Sequence, residues 1–193
     1  MARNTTFSFE FYPPQTQEGA TKLMQTAKEL NVCSPEFFSV TFGAGGSTKE
    51  KTLDTVLDLK KSGFNATPHI SCISSSKAEI KELLDKYKLN KINHLVALRG
   101  DNPSGSINFG ELNYANELVN FIKSEMGDTF KIDVGAYPEV HPESETAKQD
   151  FINFKNKVEA GADSAITQFF YNVDAYFKFV DECQNNSINI PIV

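Results

Sequence analysis

No Gly-x-Gly-x-x-Gly follows the first strand of this chain, no Cys-x-x-Cys occurs anywhere, and neither a basic patch nor a long apolar run is present. Each absence removes a class of protein. Without the glycine fingerprint, the usual dinucleotide site of an open doubly wound sheet is missing. The three cysteines, Cys33, Cys72 and Cys183, are odd in number and widely separated. They form neither a disulfide framework nor a zinc site and read as reduced, buried thiols. His69, His94 and His141 lack metal-ligand spacing, so no metal is expected. A net charge of −6 and a pI near 5.1 argue against nucleic acid or an anionic membrane as the main partner. No apolar stretch approaches the roughly 18 residues of a membrane span, and the N-terminus is polar, which makes the cytoplasm the expected location.

What is present is regular alternation. The 193 residues are 40% hydrophobic and include 16 Phe, ample for one buried core. Short apolar runs near residues 7–12, 37–42, 64–70, 92–98, 131–137 and 164–170 are each followed by a segment with helical spacing, such as Leu23, Ala27 and Leu30. Ser47-Thr48-Lys49-Glu50 and Ser76-Lys77-Ala78-Glu79 read as capping boxes, and Gly63, Gly127 and Gly161 fall where helices should stop. About six βα units follow, with the start of a seventh strand at residues 189–193. Of the two architectures that alternation permits, a (β/α)₈ TIM barrel is favoured, because many strands end in polar residues: Glu10, Thr41, His69, Arg99 to Asp101, Tyr137 and Gln168. The chain is expected to be a single barrel domain, 1–193, cut short at its C-terminus, since six strands and a stub do not close a barrel.

Glu10 is the most informative of these residues. It sits in Phe7-Ser8-Phe9-Glu10-Phe11-Tyr12, stopped by Pro13-Pro14. The period of two sends Ser8 and Glu10 to the face opposite the three Phe rings, into whatever the sheet encloses. A carboxylate there should have a raised pKa. The alternative is a structural carboxylate paired with a cation from a neighbouring strand. Arg99-Gly100-Asp101 opens a long Gly-, Pro- and Ser-rich loop and could hold an anionic ligand, or simply be a salt-bridged strand-end turn. Phe42 to Thr48 could offer backbone N–H groups to a phosphate, but lacks the lysine of a P-loop. Strand six carries Gln168 and no Lys, which disfavours a Schiff-base aldolase, and His94, near the start of strand four, reads as structural.

Six blocks, in order along the chain, resemble the methylenetetrahydrofolate reductase family: residues 8–14, 38–46, 68–72, 97–101, 136–143 and 161–170. The resemblance implies a flavoprotein of one-carbon metabolism, a (β/α)₈ barrel with FAD at the carboxyl ends of the strands. It implies ping-pong hydride transfer in which NADH or NADPH reduces FAD and 5,10-methylenetetrahydrofolate is then reduced to 5-methyltetrahydrofolate. Glu10 matches the family's general acid, whose proton allows the folate's five-membered ring to open. Asp101 matches an aspartate near flavin and folate, stabilising a cationic iminium. Gln168, with Asp101 and Thr41, matches substrate-binding positions. Thr41, Phe42, Ala44, His69, Arg99, Gly100, Asp101, Ala115, Tyr137, His141, Asp150, Asn153 and Lys157 match the FAD site, with Arg99 and Lys157 as cationic partners for cofactor phosphate. Asn156 stands where the family often carries a charged side chain.

The departure is length, because the last two strands of the family's barrel are not in this sequence. The alternative function is therefore a truncated, non-catalytic fragment that binds flavin or acts only through assembly with another chain. A flavin barrel oxidising an amino acid such as proline shares the architecture but not the logic of Glu10. A homo-oligomer is compatible with the reading, and folate and nicotinamide are its expected small-molecule partners.

Overall fold

The computed structural model describes residues 6–42, 49–73, 75–101 and 110–193. Six parallel strands occur: β1 (Ser8–Phe11), β2 (Phe37–Val40), β3 (Ala66–Ser71), β4 (His94–Leu98), β5 (Lys131–Ala136) and β6 (Ser164–Thr167). Six helices alternate with them: α1 (Gln17–Leu30), α2 (Lys49–Lys61), α3 (Lys77–Leu89), α4 (Ala115–Met126), α5 (Ala147–Glu159) and α6 (Val173–Asn185). The strand order is β1-β2-β3-β4-β5-β6. This sequential order is that of a (β/α)₈ barrel, whereas a doubly wound sheet reverses its order at a switch point. The expected α/β class and the six units are thus present. Ile192 also bridges Ala165 in parallel, with Val193 N–H donating to Ala165 O at 2.8 Å, as the start of a seventh strand should.

The chain divides into two compact units, one comprising Met1–Ile70 and Tyr87–Val96, the other Ser71–Lys86 and Ala97–Val193. In the first, β1 pairs with β2 so that Phe9 faces Phe38 and Glu10 faces Ser39. Phe38 is buried at the centre of an aromatic group, stacked on Phe9 and Phe11 with centroids 6.0 and 5.4 Å away and meeting Phe64 edge-on. Burial of Phe38, Val40, Val56, Leu59 and Ile70 contributes roughly 1.5–3 kcal/mol each. With the Phe rings fixed on that face, Ser8 and Glu10 must take the other. All six residues of β3 are buried, as a strand covered on both faces requires. His94, which reads as structural, has its Nδ1 3.2 Å from Thr67 Oγ1 and meets Phe37 edge-on.

In the second unit, β5 and β6 pair with Asp133 opposite Ser164 and Gly135 opposite Ile166. The buried Ser164 hydroxyl donates to Asp133. Phe151, Phe154 and Phe179 pack α5 against α6 with ring centroids 5.0–6.4 Å apart. The capping box at Ser76 is formed reciprocally, Ser76 N–H donating to Glu79 Oε2 at 2.7 Å and Glu79 N–H to Ser76 Oγ at 3.2 Å. The box at 47–50 lies partly outside the described residues. Gly63, Gly127 and Gly161 all adopt positive φ at the ends of α2, α4 and α5. Among the described residues no helix is long and apolar enough to cross a membrane. Cys72 and Cys183 are buried free thiols, but Cys33 is exposed, because it closes a short 3₁₀ turn after α1 on the surface.

Candidate functional site

Within the first unit, the polar face of the sheet gathers Glu10, Ser39, Thr41 and His69. His69 Nε2 lies 3.3 Å from Glu10 Oε2, close enough for an ion pair but out of line for a well-formed hydrogen bond. The carboxylate is half-exposed, while His69 is buried. The expected raised pKa of Glu10 is not found. The interaction with the His69 ring holds the carboxyl below its ordinary value, partial burial pushes the other way, and the Ser39 hydroxyl adds to the lowering. Strand parity gives the face correctly, but the neighbour on β3 sets the sign. Thr41 is buried and its Oγ1 has no hydrogen-bond partner among the described residues, although its carbonyl accepts from Thr52 Oγ1 at 2.8 Å. Phe42 is half-buried beside it; Ala44 lies outside the described residues.

The second unit holds two cavities that share residues. The larger, about 550 Å³, is lined by Arg99, Ala115, Tyr137, His141, Asp150, Asn153 and Lys157, seven of the thirteen expected cofactor positions. Arg99 Nη2 pairs with Glu143 Oε2 at 2.6 Å. The Arg99 carbonyl accepts from Ser71 Oγ at 2.6 Å and from Ile73 N–H at 3.0 Å, which fixes the turn at Gly100. Gly100 has φ +86°, and a Cβ there would stand 2.0 Å from Ser71 Oγ, so glycine is required. Lys157 donates to Gly135 O at 2.5 Å and lies 5.8 Å from the centroids of both Tyr137 and Phe154. Burial lowers its pKa to about 8, with Asp150 opposing. Both oxygens of Asp150 are engaged, one by His141 N–H and one by the Ser144 hydroxyl, each at 3.0 Å. This carboxylate therefore ties the 141–144 loop to α5. Burial, reinforced by Asp101 and Asp150, raises the Tyr137 pKa.

The smaller cavity, about 390 Å³, is lined by Asp101, Gln168, Phe169 and Glu139, and shares Tyr137, His141 and Glu143 with the larger. Gln168 Oε1 accepts from Phe169 N–H at 2.8 Å, leaving its amide hydrogens as donors. Sequence reasoning missed Glu143, Gln149 and Glu139. Gln149, Asn153 and Lys157 recur every four residues along α5 and Asn156 adjoins them, a polar helical stripe that could have marked Gln149. Glu143 and Glu139 stand inside the 136–143 block but carry no pattern that predicts their partners. No group of three or more residues suited to hold a metal ion occurs among the described residues.

Sequential βα units, with a polar double cavity lined in part by the loops after β4, β5 and β6, define an α/β protein of the barrel class. The family profile of methylenetetrahydrofolate reductase matches residues 1–193, and the chain belongs to that family. The 5,10-methylenetetrahydrofolate reductase of Buchnera aphidicola subsp. Schizaphis graminum is 44% identical over 187 residues, covering 96% of this chain and 63% of that protein. That of Escherichia coli K12 is 43% identical, covering 96% and 62%. The chain thus spans about five-eighths of the length of these relatives. Methylenetetrahydrofolate reductase (NADH) 1 of Arabidopsis thaliana is 38% identical, covering 98% of this chain and 34% of that protein. An uncharacterized protein from Clostridium thermocellum that binds two copies of 5-methyl-5,6,7,8-tetrahydrofolic acid superposes with a TM-score of 0.67 at 16% identity, covering 97% and 64%. At that identity it speaks for the fold alone.

Proposed function

We propose that this chain supplies the flavin-binding barrel of a 5,10-methylenetetrahydrofolate reductase, using NAD(P)H to form 5-methyltetrahydrofolate by a ping-pong sequence. The observation that carries the reading is the pair of cavities joined through Tyr137, His141 and Glu143, one holding Arg99 and Lys157, the other Asp101 and Gln168. FAD fits the residues present: within the second unit the half-buried Lys157 donates to a carbonyl and lines one cavity with Arg99. In the second unit, Arg99, Tyr137, His141, Asn153 and Lys157, which line the larger cavity, and Gly100 next to Arg99 would hold it. When bound, FAD would supply the hydride-transfer chemistry between nicotinamide and folate. The Arabidopsis relative named for NADH favours NADH as donor.

The chain's own part is binding and proton management. Lys157 and Arg99 meet phosphate, and Arg99 must release Glu143 to do so. Tyr137, its burial keeping the phenol protonated, offers a donor and a flat face. Gln168 donates its amide hydrogens to the folate, and Asp101 stabilises the cationic iminium. The proton for the departing nitrogen comes from the Glu10–His69 pair, in which imidazole and carboxylate sit 3.3 Å apart. Glu10→Gln should leave bleaching of the flavin band by NADH intact while slowing folate reduction by roughly 10²–10⁴, the usual worth of a general acid. Equal loss in both half-reactions would overturn that role.

A further inference from the structure

Glu139 belongs to the loop after β5, yet its Oε1 accepts two backbone N–H bonds from the loop after β6, Asn172 N at 2.7 Å and Tyr171 N at 3.3 Å. These amides open α6. The helix's own cap is Asn172, whose Oδ1 accepts from Asp174 and Ala175 N–H. The Glu139 carboxylate therefore meets donors that α6 itself cannot satisfy, and it does so at the positive end of the helix dipole. The clamped segment begins at Gln168, whose N–H is held by Ala136 O at 2.7 Å. Phe169, Phe170 and Tyr171 are thus strung between the sheet at one end and Glu139 at the other. Phe169 and Tyr171 are 74% and 89% exposed, so burial of their own rings does little to fix them. Glu139, Gln168 and Phe169 line the same smaller cavity as Asp101.

We propose that Glu139 is a positioning residue for the folate subsite, acting through the backbone of residues 169–172 to set where Gln168 presents its amide. The inference rests on the reductase reading above. It is distinct from flavin binding, because Glu139 does not line the larger cavity. A carboxylate accepting two N–H bonds provides more restraint than a neutral oxygen, since hydrogen bonds to ionised acceptors are roughly twice as strong.

The test uses the full chain reconstituted with FAD, comparing the parent with Glu139→Ala and Glu139→Gln. The readouts are flavin affinity, steady-state parameters for methylenetetrahydrofolate, and amide exchange at Tyr171 and Asn172. Glu139→Ala should raise the folate KM about tenfold, the scale of one lost charge-assisted bond. Flavin affinity should stay within about twofold, and the two amides should exchange faster. Glu139→Gln, which keeps a neutral oxygen acceptor, should recover about half of the effect, leaving the KM about threefold above the parent. Faster exchange at Tyr171 and Asn172 with an unchanged KM would overturn the proposal and reduce Glu139 to a loop staple. A loss of flavin affinity that parallels the rise in KM would also overturn it, as a general folding defect. A parent that binds flavin but never turns over the folate would overturn the reductase reading, and this inference with it; that failure shows in the parent before any variant is compared.

Discussion

Replacing Lys157 by methionine should change how stability depends on pH. Lys157 is half-buried, its amine 5.8 Å from the centroids of two aromatic rings with the Gly135 carbonyl as its acceptor, and burial lowers its pKa from the ordinary 10.5 to about 8. Between those values the unfolded chain holds a proton that the folded chain has released. Stability therefore rises with pH across that window and is flat, for this group, below about pH 8 and above about 10.5. At 1.36 kcal/mol for each pKa unit, the gain is at most about 3 kcal/mol. Urea unfolding of parent and variant at several pH values across the window isolates it, since every other titrating group is common to both. The parent should gain on Lys157→Met by up to that amount as pH rises. Parallel curves would refute the burial argument. Saturation with FAD should shrink the difference, because a phosphate beside the amine keeps the proton on.

Gly100→Ala should destabilise by about 2–3 kcal/mol, combining a left-handed backbone with displacement of the Ser71 hydroxyl from the Arg99 carbonyl. Adding Ser71→Ala should cost less than the sum of the two changes, which a double-mutant cycle measures; strict additivity would contradict the contact. Glu10 contributes stability that is fully present above its ordinary pKa of 4.5 and is lost as pH falls through its lower folded value. Glu10→Gln and His69→Gln should each weaken that acid dependence, and an unchanged acid-unfolding profile in both would dismiss the pair.

The architecture was legible because it is local. Phe9 and Phe11 alternate with Glu10, the Ser76 box names its own helix start, and Gly161 marks the end of α5. Even the stub at residues 189–193 could be read as strand, and Ile192 does bridge to Ala165. The electrostatics were not legible, because they depend on neighbours distant in sequence. Glu10 reads as a carboxylate with a raised pKa until β3 brings His69 beside it. Arg99 reads as either an anion holder or a salt-bridged strand-end residue, and nothing in the spacing names Glu143 as its partner. Cys33 was expected to be buried with the other thiols, but position in a surface turn outweighed residue type. Glu139 could not be found from spacing at all, since its partners are backbone amides of another loop.

The most direct test of the account is the visible spectrum of the FAD-reconstituted chain, recorded anaerobically before and after NADH and then after methylenetetrahydrofolate. The account predicts a bound flavin band that bleaches with the nicotinamide and returns with the folate. A band that bleaches but does not return with folate would contradict the reductase and favour a flavin-binding fragment, and no bound flavin would contradict the site itself.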